Sequence, residues 1–437
     1  MENVPQYVLS CLEALEKEGF AAYMVGGCVR DACLGLIPHD YDICTAALPE
    51  QTEAVFAGRK LGLDGKKHGT IVVHTEGGEV EITTFRTEGD YQDNRHPDWV
   101  EFVPEVEQDL ARRDYTVNAM AWSPFRGFAD PFGGRQDLEK GILRAVGNPG
   151  KRYREDALRI LRGIRFAARF GLTPEPETLQ AMECHAHLLD NLARERVFAE
   201  LSEFLRFAGL EDLLRFAPVL ASAIPELKPM IGFDQHSPHH AYDLYTHTAH
   251  VTAGVSGDLV RRWAALLHDT GKVTTFTQDK NGRGHFYGHA PESAKIADVI
   301  LLRLKAPTDL RQQAVFLIDQ HMTGLEADKP FLRRLLSRYG WEAVSDLLAL
   351  QWADFLGKGK GEEGPDFDRI DDLLTEISEE NPCLSLKDLA LKGGDLMALG
   401  CSGKEIGAKL NALLELVLDG KTENTRTALL EALARMK

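Results

Sequence analysis

Asp40 and Asp42, one residue apart in Asp40-Tyr41-Asp42, have the most pointed chemistry in the chain. On a strand, residues two apart share a face, so both carboxylates would project to the same side. Such a pair repels unless a proton or cation neutralises it. A divalent cation there could clamp the attacking and leaving oxygens of a phosphoryl transfer. One short helix upstream lies Val25-Gly26-Gly27-Cys28-Val29-Arg30-Asp31. Glycines at 26 and 27 would let backbone N–H groups approach a phosphate, and Arg30, one turn into the helix, is expected to reach the same anion. An isolated Asp-x-Asp reads as two solvated acids on an edge strand. The preceding Gly-Gly turn makes Asp40 and Asp42 a candidate catalytic pair for a divalent cation.

A second pattern follows at Asp156, Arg159, Arg162 and Arg165, spaced every three residues. On a helix these form one drifting stripe, with Ala157, Ile160, Leu161, Ile164 and Ala168 as the apolar side. A charged stripe is usually a wet face, but this one is almost purely arginine in an acidic chain. That suits a phosphate or RNA partner. Asp156 and Arg159 together could also read a base. A carboxylate accepts from an exocyclic amino group while a guanidinium donates to the neighbouring ring nitrogen, a pattern that cytosine and adenine share. Uracil and guanine place a carbonyl there instead.

These residues need elements to position them. Tyr7–Glu18 has helical periodicity, Phe20–Val25 and Asp40–Cys44 read as strands, and Gly69–His74 with Val80–Phe85 reads as a pair joined at Glu76-Gly77-Gly78. Glu81, on the same strand face as Thr83 and Phe85, is a candidate third carboxylate near the metal. The polar stretch Arg86–Asp98 precedes Arg113 and Asp114, which are candidates for holding triphosphate or ribose. From about Tyr153 the pattern is helical almost throughout, and Gly357–Pro365 is linker-like. The expected fold is α+β: a head at 1–140 with a small mixed sheet, then an all-α neck at 141–215, a helical body at 216–360 and a helical tail at 361–437.

Composition sets the outer bounds. The 437 residues exceed one ordinary core, and 44% hydrophobic with 27% charged residues is a globular balance. A net charge of −17 disfavours non-specific coating of nucleic acid. No apolar run approaches the ~18 residues of a membrane span, and Met1–Leu9 lacks the basic and apolar regions of a secretory signal. Seven scattered cysteines without a Cys-x-x-Cys pair suggest reduced thiols in a cytoplasmic protein.

Taken together, the motifs resemble those of class II tRNA nucleotidyltransferases and bacterial poly(A) polymerases. Gly26-Gly27-x-x-Arg30-Asp31 with Asp40-x-Asp42 is similar to their first motif, and Arg112-Arg113-Asp114-Tyr115-Thr116-Val117-Asn118-Ala119 to the second. Asp130-Pro131-Phe132-Gly133-Gly134-x-x-Asp137 is similar to the third and Glu155-Asp156-Ala157-Leu158-Arg159 to the fourth, with a weaker fifth at Glu195-Arg196-x-x-x-Glu200. The resemblance is dense from residue 20 to about 205. It implies addition of C, C and A to the tRNA 3′ end from CTP and ATP, with the tail contacting tRNA. Addition of poly(A), or of only part of CCA, remains an alternative. Lys67–Val73 and Glu81–Arg86 look more like the CCA-adding branch.

Farther on, His247-Thr248 and Leu267-His268-Asp269-Thr270-Gly271-Lys272 resemble the HD phosphohydrolase signature. That resemblance implies a divalent metal (Mg²⁺, Mn²⁺ or Ni²⁺) on His247, His268 and Asp269, with Asp354 as the closing acid. His289 and His321 stand where related domains carry further histidines. His236, His239 and His240 read as loop residues. Lys272, three residues after Asp269, would share its face on a continuing helix. A metal phosphohydrolase acting on RNA ends is therefore the alternative of another class.

Overall fold

The computed structural model describes residues 4–88, 100–360 and 364–436. Most of the polar stretch Arg86–Asp98 and part of Gly357–Pro365 lie outside them. The chain divides into two compact units, Met1–Lys228 and Pro229–Lys437.

The first unit holds a seven-stranded sheet. Its strands are β1 (Ala22–Val25), β2 (Asp42–Thr45), β3 (Leu61–Gly62), β4 (Thr70–Thr75) and β5 (Gly78–Thr84). Strands β6 (Arg86–Glu88) and β7 (Val100–Phe102) form a separate ribbon, and β8 (Ala121–Ser123) and β9 (Gly127–Ala129) return to the sheet. The order is β3-β4-β5-β2-β1-β8-β9. The parallel pairing of β2 with β5 sets Asp42 opposite Glu81. Along β5, Val80, Ile82 and Thr84 are buried while Glu81 is exposed, the alternation of a half-covered sheet.

Strand β2 begins at Asp42 rather than at Asp40. The neighbouring ladder of β1 ends at Val25, where Gly26 turns the chain into the helix Gly27–Cys33, so Asp40 and Tyr41 have no strand beside them there. Tyr41 is instead pinned by burial, edge-on to Tyr7 at 6.3 Å between ring centroids.

The helical part of this unit also departs from expectation. The arginine stripe does not lie on one continuous helix with Asp156. One helix runs Pro149–Glu155, Asp156 adopts an extended conformation (φ −140°, ψ 105°), and a second helix runs Leu158–Phe170. Asp156 accepts a hydrogen bond from the Leu158 N–H at 3.0 Å, satisfying a donor that helix geometry leaves free. The second helix packs closely on Tyr115, whose hydroxyl donates to the Arg159 carbonyl at 2.7 Å. Gly163 permits this approach, since a Cβ there would stand 2.1 Å from the Tyr115 oxygen.

The second unit is nearly all helix. Leu244–Gly254, Leu259–Leu267, His289–Arg303, Thr308–Gln320 and Lys329–Gly357 are its long elements, the last interrupted at Gly340 (φ 81°). Leu332, Leu336, Val344 and Leu348 from that helix form a core with Ile370, Leu373 and Ile377 of helix Phe367–Glu379. Helices Gly393–Ala398, Lys404–Leu418 and Arg426–Arg435 surround a core of their own. The pairing of Thr277–Gln278 with Gly284–His285 is a short hairpin that the helical pattern did not suggest. Among the described residues no helix is long and apolar enough to cross a membrane.

Candidate active site of the head and metal centre of the body

Gly26 is the pivot of the head. Its backbone (φ 77°, ψ −128°) suits glycine, and a Cβ would stand 2.8 Å from Nη1 of Arg113. Arg113 therefore lies across the Gly26 main chain. It is tethered by Asp109, whose buried carboxylate also accepts from Arg112 Nε (3.0 Å), Arg112 Nη2 (2.9 Å) and the Arg86 N–H (3.3 Å), with Arg113 Nη2 at 3.3 Å. Burial alone would raise the Asp109 pKa, but the two guanidiniums hold it below the ordinary carboxylate range.

Asp42 shows what three neighbouring carboxylates do to one another. Burial, then Asp40, then Glu81 push its pKa up to about 6, against the opposing influence of Arg113. Asp40 and Glu81 are exposed beside it. The accumulated negative charge fits a divalent cation, which would relieve both the repulsion and the desolvation. These oxygens are not gathered as closely as in the body, where whole groups lie within 4.8 Å of one another.

The structure gives Arg30 a different setting from the one expected. Its Nη1 donates to Asn118 Oδ1 at 2.7 Å, its Nε and Nη2 donate to Asp31, and it lies over the Phe170 ring at 4.2 Å. This guanidinium is buried and faces protein rather than an open anion site. Asn118 passes the interaction on, donating to Asp114 Oδ1 at 3.1 Å, while Arg162 Nε donates to Asp114 Oδ2 at 2.9 Å. Arg30, Asn118, Asp114 and Arg162 thus form one polar chain from the glycine turn to the neck. Burial would raise the Asp114 pKa, but Arg162 and Asn118 lower it to about 2.

The remaining neck residues are similarly committed. Arg159 donates to Glu155 (2.9 Å) and to the carbonyls of Arg152 (3.4 Å) and Arg112 (3.0 Å). Asp156 faces Arg196 at 3.8 Å, and Arg165 pairs with Glu200 at 3.2 Å. Phe166 has the guanidiniums of Arg30, Arg162 and Arg165 between 4.7 and 5.3 Å of its centroid. Asp137 accepts from Thr116 (2.8 Å) and Arg144 (3.1 Å), which ties the third motif to the second. Sequence reasoning missed Asp109 as the tether of Arg113, although its i, i+3 and i, i+4 spacing to Arg112 and Arg113 was available as a signal.

In the body, His247, His268, Asp269 and Asp354 come together. His247 Nε2 stands 3.0 Å from Asp354 and 3.4 Å from Asp269, and His268 Nε2 stands 3.2 Å from Asp269. Each Nδ1 is turned to a backbone carbonyl: His247 to Gly357 (3.1 Å) and His268 to Ala265 (2.7 Å). Protonated there, the rings present their Nε2 lone pairs inward. Both Nε2 atoms and Asp269 Oδ1 are buried without a well-formed hydrogen bond. That donor set fits a divalent metal. Lys272 pairs with Asp269 at 2.7 Å, although the helix stops at Leu267 and a turn intervenes. His240, read as a loop residue, packs its ring 4.9 Å from His247 and lines the cavity.

The depressed Asp114 pKa carries a consequence for stability. A carboxylate held near 2 when folded and ~3.9 when unfolded stabilises the fold above the unfolded value, and that contribution fades as pH falls through the folded one. Asp114→Asn should therefore cost ~2 kcal/mol at neutral pH, and less once the pH drops below ~4. Urea unfolding at pH 7 and pH 3 checks this; an equal loss at both would assign the effect to shape rather than charge.

Comparison with known proteins agrees with this geometry. Residues 22–144 match the poly(A) polymerase head domain, 171–231 the RNA and SrmB-binding site of polymerase A, and 295–433 a tRNA nucleotidyltransferase domain 2. The CCA-adding enzyme of Ligilactobacillus salivarius is 42% identical over 245 residues, 53% of this chain and 60% of that one. That of Streptococcus mutans is 33% identical over 436 residues, 98% of this chain and 96% of the relative. The crystal structure of the Bacillus stearothermophilus CCA-adding enzyme in complex with CTP is 28% identical and superposes with a TM-score of 0.70, covering 98% of this chain and 96% of that one. Similarity sustained along nearly the whole of both chains settles the relationship: this chain belongs to the CCA-adding enzyme family of tRNA nucleotidyltransferases.

Proposed function

We propose that the first unit adds C, C and A to the 3′ end of tRNA, using CTP and ATP and no nucleic-acid template. The observation that carries this reading is the β2–β5 register, which sets Asp42 beside Glu81 with Asp40 adjacent and Arg113 across Gly26. In the reaction the tRNA 3′-hydroxyl attacks the nucleotide α-phosphate, a new phosphodiester forms, and pyrophosphate leaves. Asp40 and Asp42, with Glu81 nearby, would hold Mg²⁺, which when bound offsets the charge developing on the transferred phosphoryl group. Arg113 and Asp114 lie on the route from the glycine turn to the neck, Arg113 as a cation for the triphosphate and Asp114 as the anchor of Arg162. Incubating tRNA that lacks its 3′ end with CTP, ATP or both tests the reading: three additions are expected. A long ladder of A would assign the protein to poly(A) synthesis instead, and arrest after CC or A would assign a partial activity.

Asp42→Asn should abolish addition while leaving tRNA affinity nearly intact, because an amide cannot neutralise the cation, whereas affinity for RNA phosphates comes from cationic side chains and not from this carboxylate. Filter binding and incorporation on one preparation check this; appreciable turnover in Mg²⁺ would remove Asp42 from the reaction.

For base choice we propose Asp156 and Arg159. Three of the five guanidinium N–H donors of Arg159 are engaged by Glu155 and two carbonyls, which fixes the group and leaves two for a ring nitrogen. Arg159→Ala should raise UTP and GTP incorporation relative to CTP and ATP by about tenfold or more, since a mismatched polar contact is worth ~1–3 kcal/mol. Loss of rate with unchanged ratios would make Arg159 structural.

A second reading concerns the body, where the inward-facing nitrogens of His247 and His268 converge on Asp269 and Asp354, an arrangement that favours a metal-dependent phosphohydrolase independent of the head. We propose that these residues and Asp354 hold a divalent cation. Hydrolysis of 2′,3′-cyclic AMP with Mn²⁺, Ni²⁺ or Mg²⁺ should disappear in Asp269→Ala and persist in Asp42→Asn. Absence of hydrolysis with every metal would leave the body as scaffold.

A further inference from the structure

Asp109 is 1% exposed on the short helix Val106–Ala111, whose Val106 and Leu110 enter an apolar core with Val25, Cys44 and Phe85. A carboxylate in that setting has to be met by donors. Its Oδ1 accepts three hydrogen bonds: from the Arg86 N–H that opens β6 (3.3 Å), from Arg112 Nε (3.0 Å) and from Arg112 Nη2 (2.9 Å). Its Oδ2 is left to Arg113 Nη2 at 3.3 Å. Among the described residues Asp109 is the one side chain that accepts from Arg113, whose Nε is buried without a partner. The other arm of the same guanidinium, Nη1, lies against Gly26, where a Cβ would come within 2.8 Å. Arg113 is also close enough to Asp42 to oppose the rise in pKa that burial, Asp40 and Glu81 produce there. The guanidinium thus stands between two carboxylates, one that holds it and one that is a candidate ligand for a cation.

We propose that Asp109 is a positioning residue for nucleotide addition: by fixing Nη2 of Arg113 it keeps the guanidinium over Gly26, where it meets the triphosphate, and off Asp42. This rests on the reading of Arg113 as the cation for the triphosphate and of Asp42 as a ligand for Mg²⁺. A guanidinium freed from Asp109 can pair with Asp42 instead. Such a pair would occupy a carboxylate that the metal needs and withdraw a cation from the triphosphate in one movement. An arginine suits the position because its fork lets one nitrogen be tethered while another is offered; a lysine ammonium has a single nitrogen. Asp109→Asn separates the tether from the shape. The amide keeps the volume, and its oxygen is retained by the three donors now on Oδ1. Its NH₂ then faces Arg113 Nη2, donor against donor, so that Arg113 alone is released.

The test titrates CTP into the full chain by calorimetry in Mg²⁺ without tRNA, so that the triphosphate contact is read without turnover. Asp109→Asn should weaken CTP binding roughly tenfold, the scale of a lost charge-assisted contact. In addition of C to tRNA lacking its 3′ end, the same variant should need more Mg²⁺ for half its maximal rate, with the KM for tRNA unchanged. Arg113→Ala should weaken CTP binding at least as much. Adding Asp109→Asn to it should change nothing further, since a residue that acts through another has no effect once that one is gone. Independent, multiplying losses in the double variant would make Asp109 a general structural residue and overturn the proposal, as would native CTP affinity in Asp109→Asn. Arg113→Lys approaches from the other side with the buried carboxylate intact. Its ammonium cannot serve both Asp109 and the triphosphate over Gly26, so CTP binding should weaken as in Asp109→Asn. Native affinity in Arg113→Lys would show that an untethered charge suffices, and would overturn the proposal even if Asp109→Asn failed to fold. Native affinity in Arg113→Ala would instead overturn the reading of Arg113 on which the proposal rests.

Discussion

Burying Asp114 between Asn118 and Arg162 is the constraint on which the rest of the head depends. A charged carboxylate removed from water has to be met by donors on every side, and each donor here comes from a different element. Arg162 belongs to the neck helix, Asn118 to the short turn Thr116–Asn118 within the second motif, and Asn118 in turn receives Arg30 from the helix after Gly26. The cost of leaving any one unpaired is several times the worth of an ordinary surface ion pair. Satisfying Asp114 therefore fixes how the glycine turn, the second motif and the neck stand relative to one another.

The two acidic centres solve the problem of crowded charge differently. In the head, Asp40 and Glu81 remain exposed, and only Asp42 is partly withdrawn from water. Solvent screens their repulsion, so the site can stay open to large substrates. In the body, Asp269 is almost wholly buried and His247 and His268 entirely so, with cationic partners packed against the acids. An open site suits a reaction between two nucleotide-bearing substrates; Asp269, His247 and His268 of the body are closed off from bulk water.

Much of this was legible in the chain because local rules set it. Asp42 and Glu81 were recognisable from strand alternation, and the hairpin of β4 and β5 from Glu76-Gly77-Gly78. The HD-type signature led to His247, His268 and Asp269, and the fold places Asp354 3.0 Å from His247. What was missed depended on a partner remote in sequence or on a local exception to a period. The stripe from Asp156 to Arg165 recurs every three residues as on one helix, yet the backbone leaves the helix at Asp156, where one carboxylate oxygen accepts from the first turn of the next helix. Arg30 was read as an anion ligand because nothing in its neighbourhood reveals Asn118, 88 residues away. His240 gave no periodic signal at all, and only the fold brings it against His247.

The anchoring of the body histidines has a further consequence. His268, His289 and His321 each orient Nδ1 by the carbonyl three residues earlier, on Ala265, Phe286 and Ile318, and His247 by that of Gly357. A main-chain carbonyl is the one acceptor that every amino acid supplies. The ring directions are thus written into helix ends and turns rather than into the identities of neighbouring side chains. Positions 265, 286 and 318 can drift in sequence, within the limits of packing, without turning a single imidazole. The orientation of the rings thus depends on the path of the main chain and can persist through long divergence in the helices that carry them.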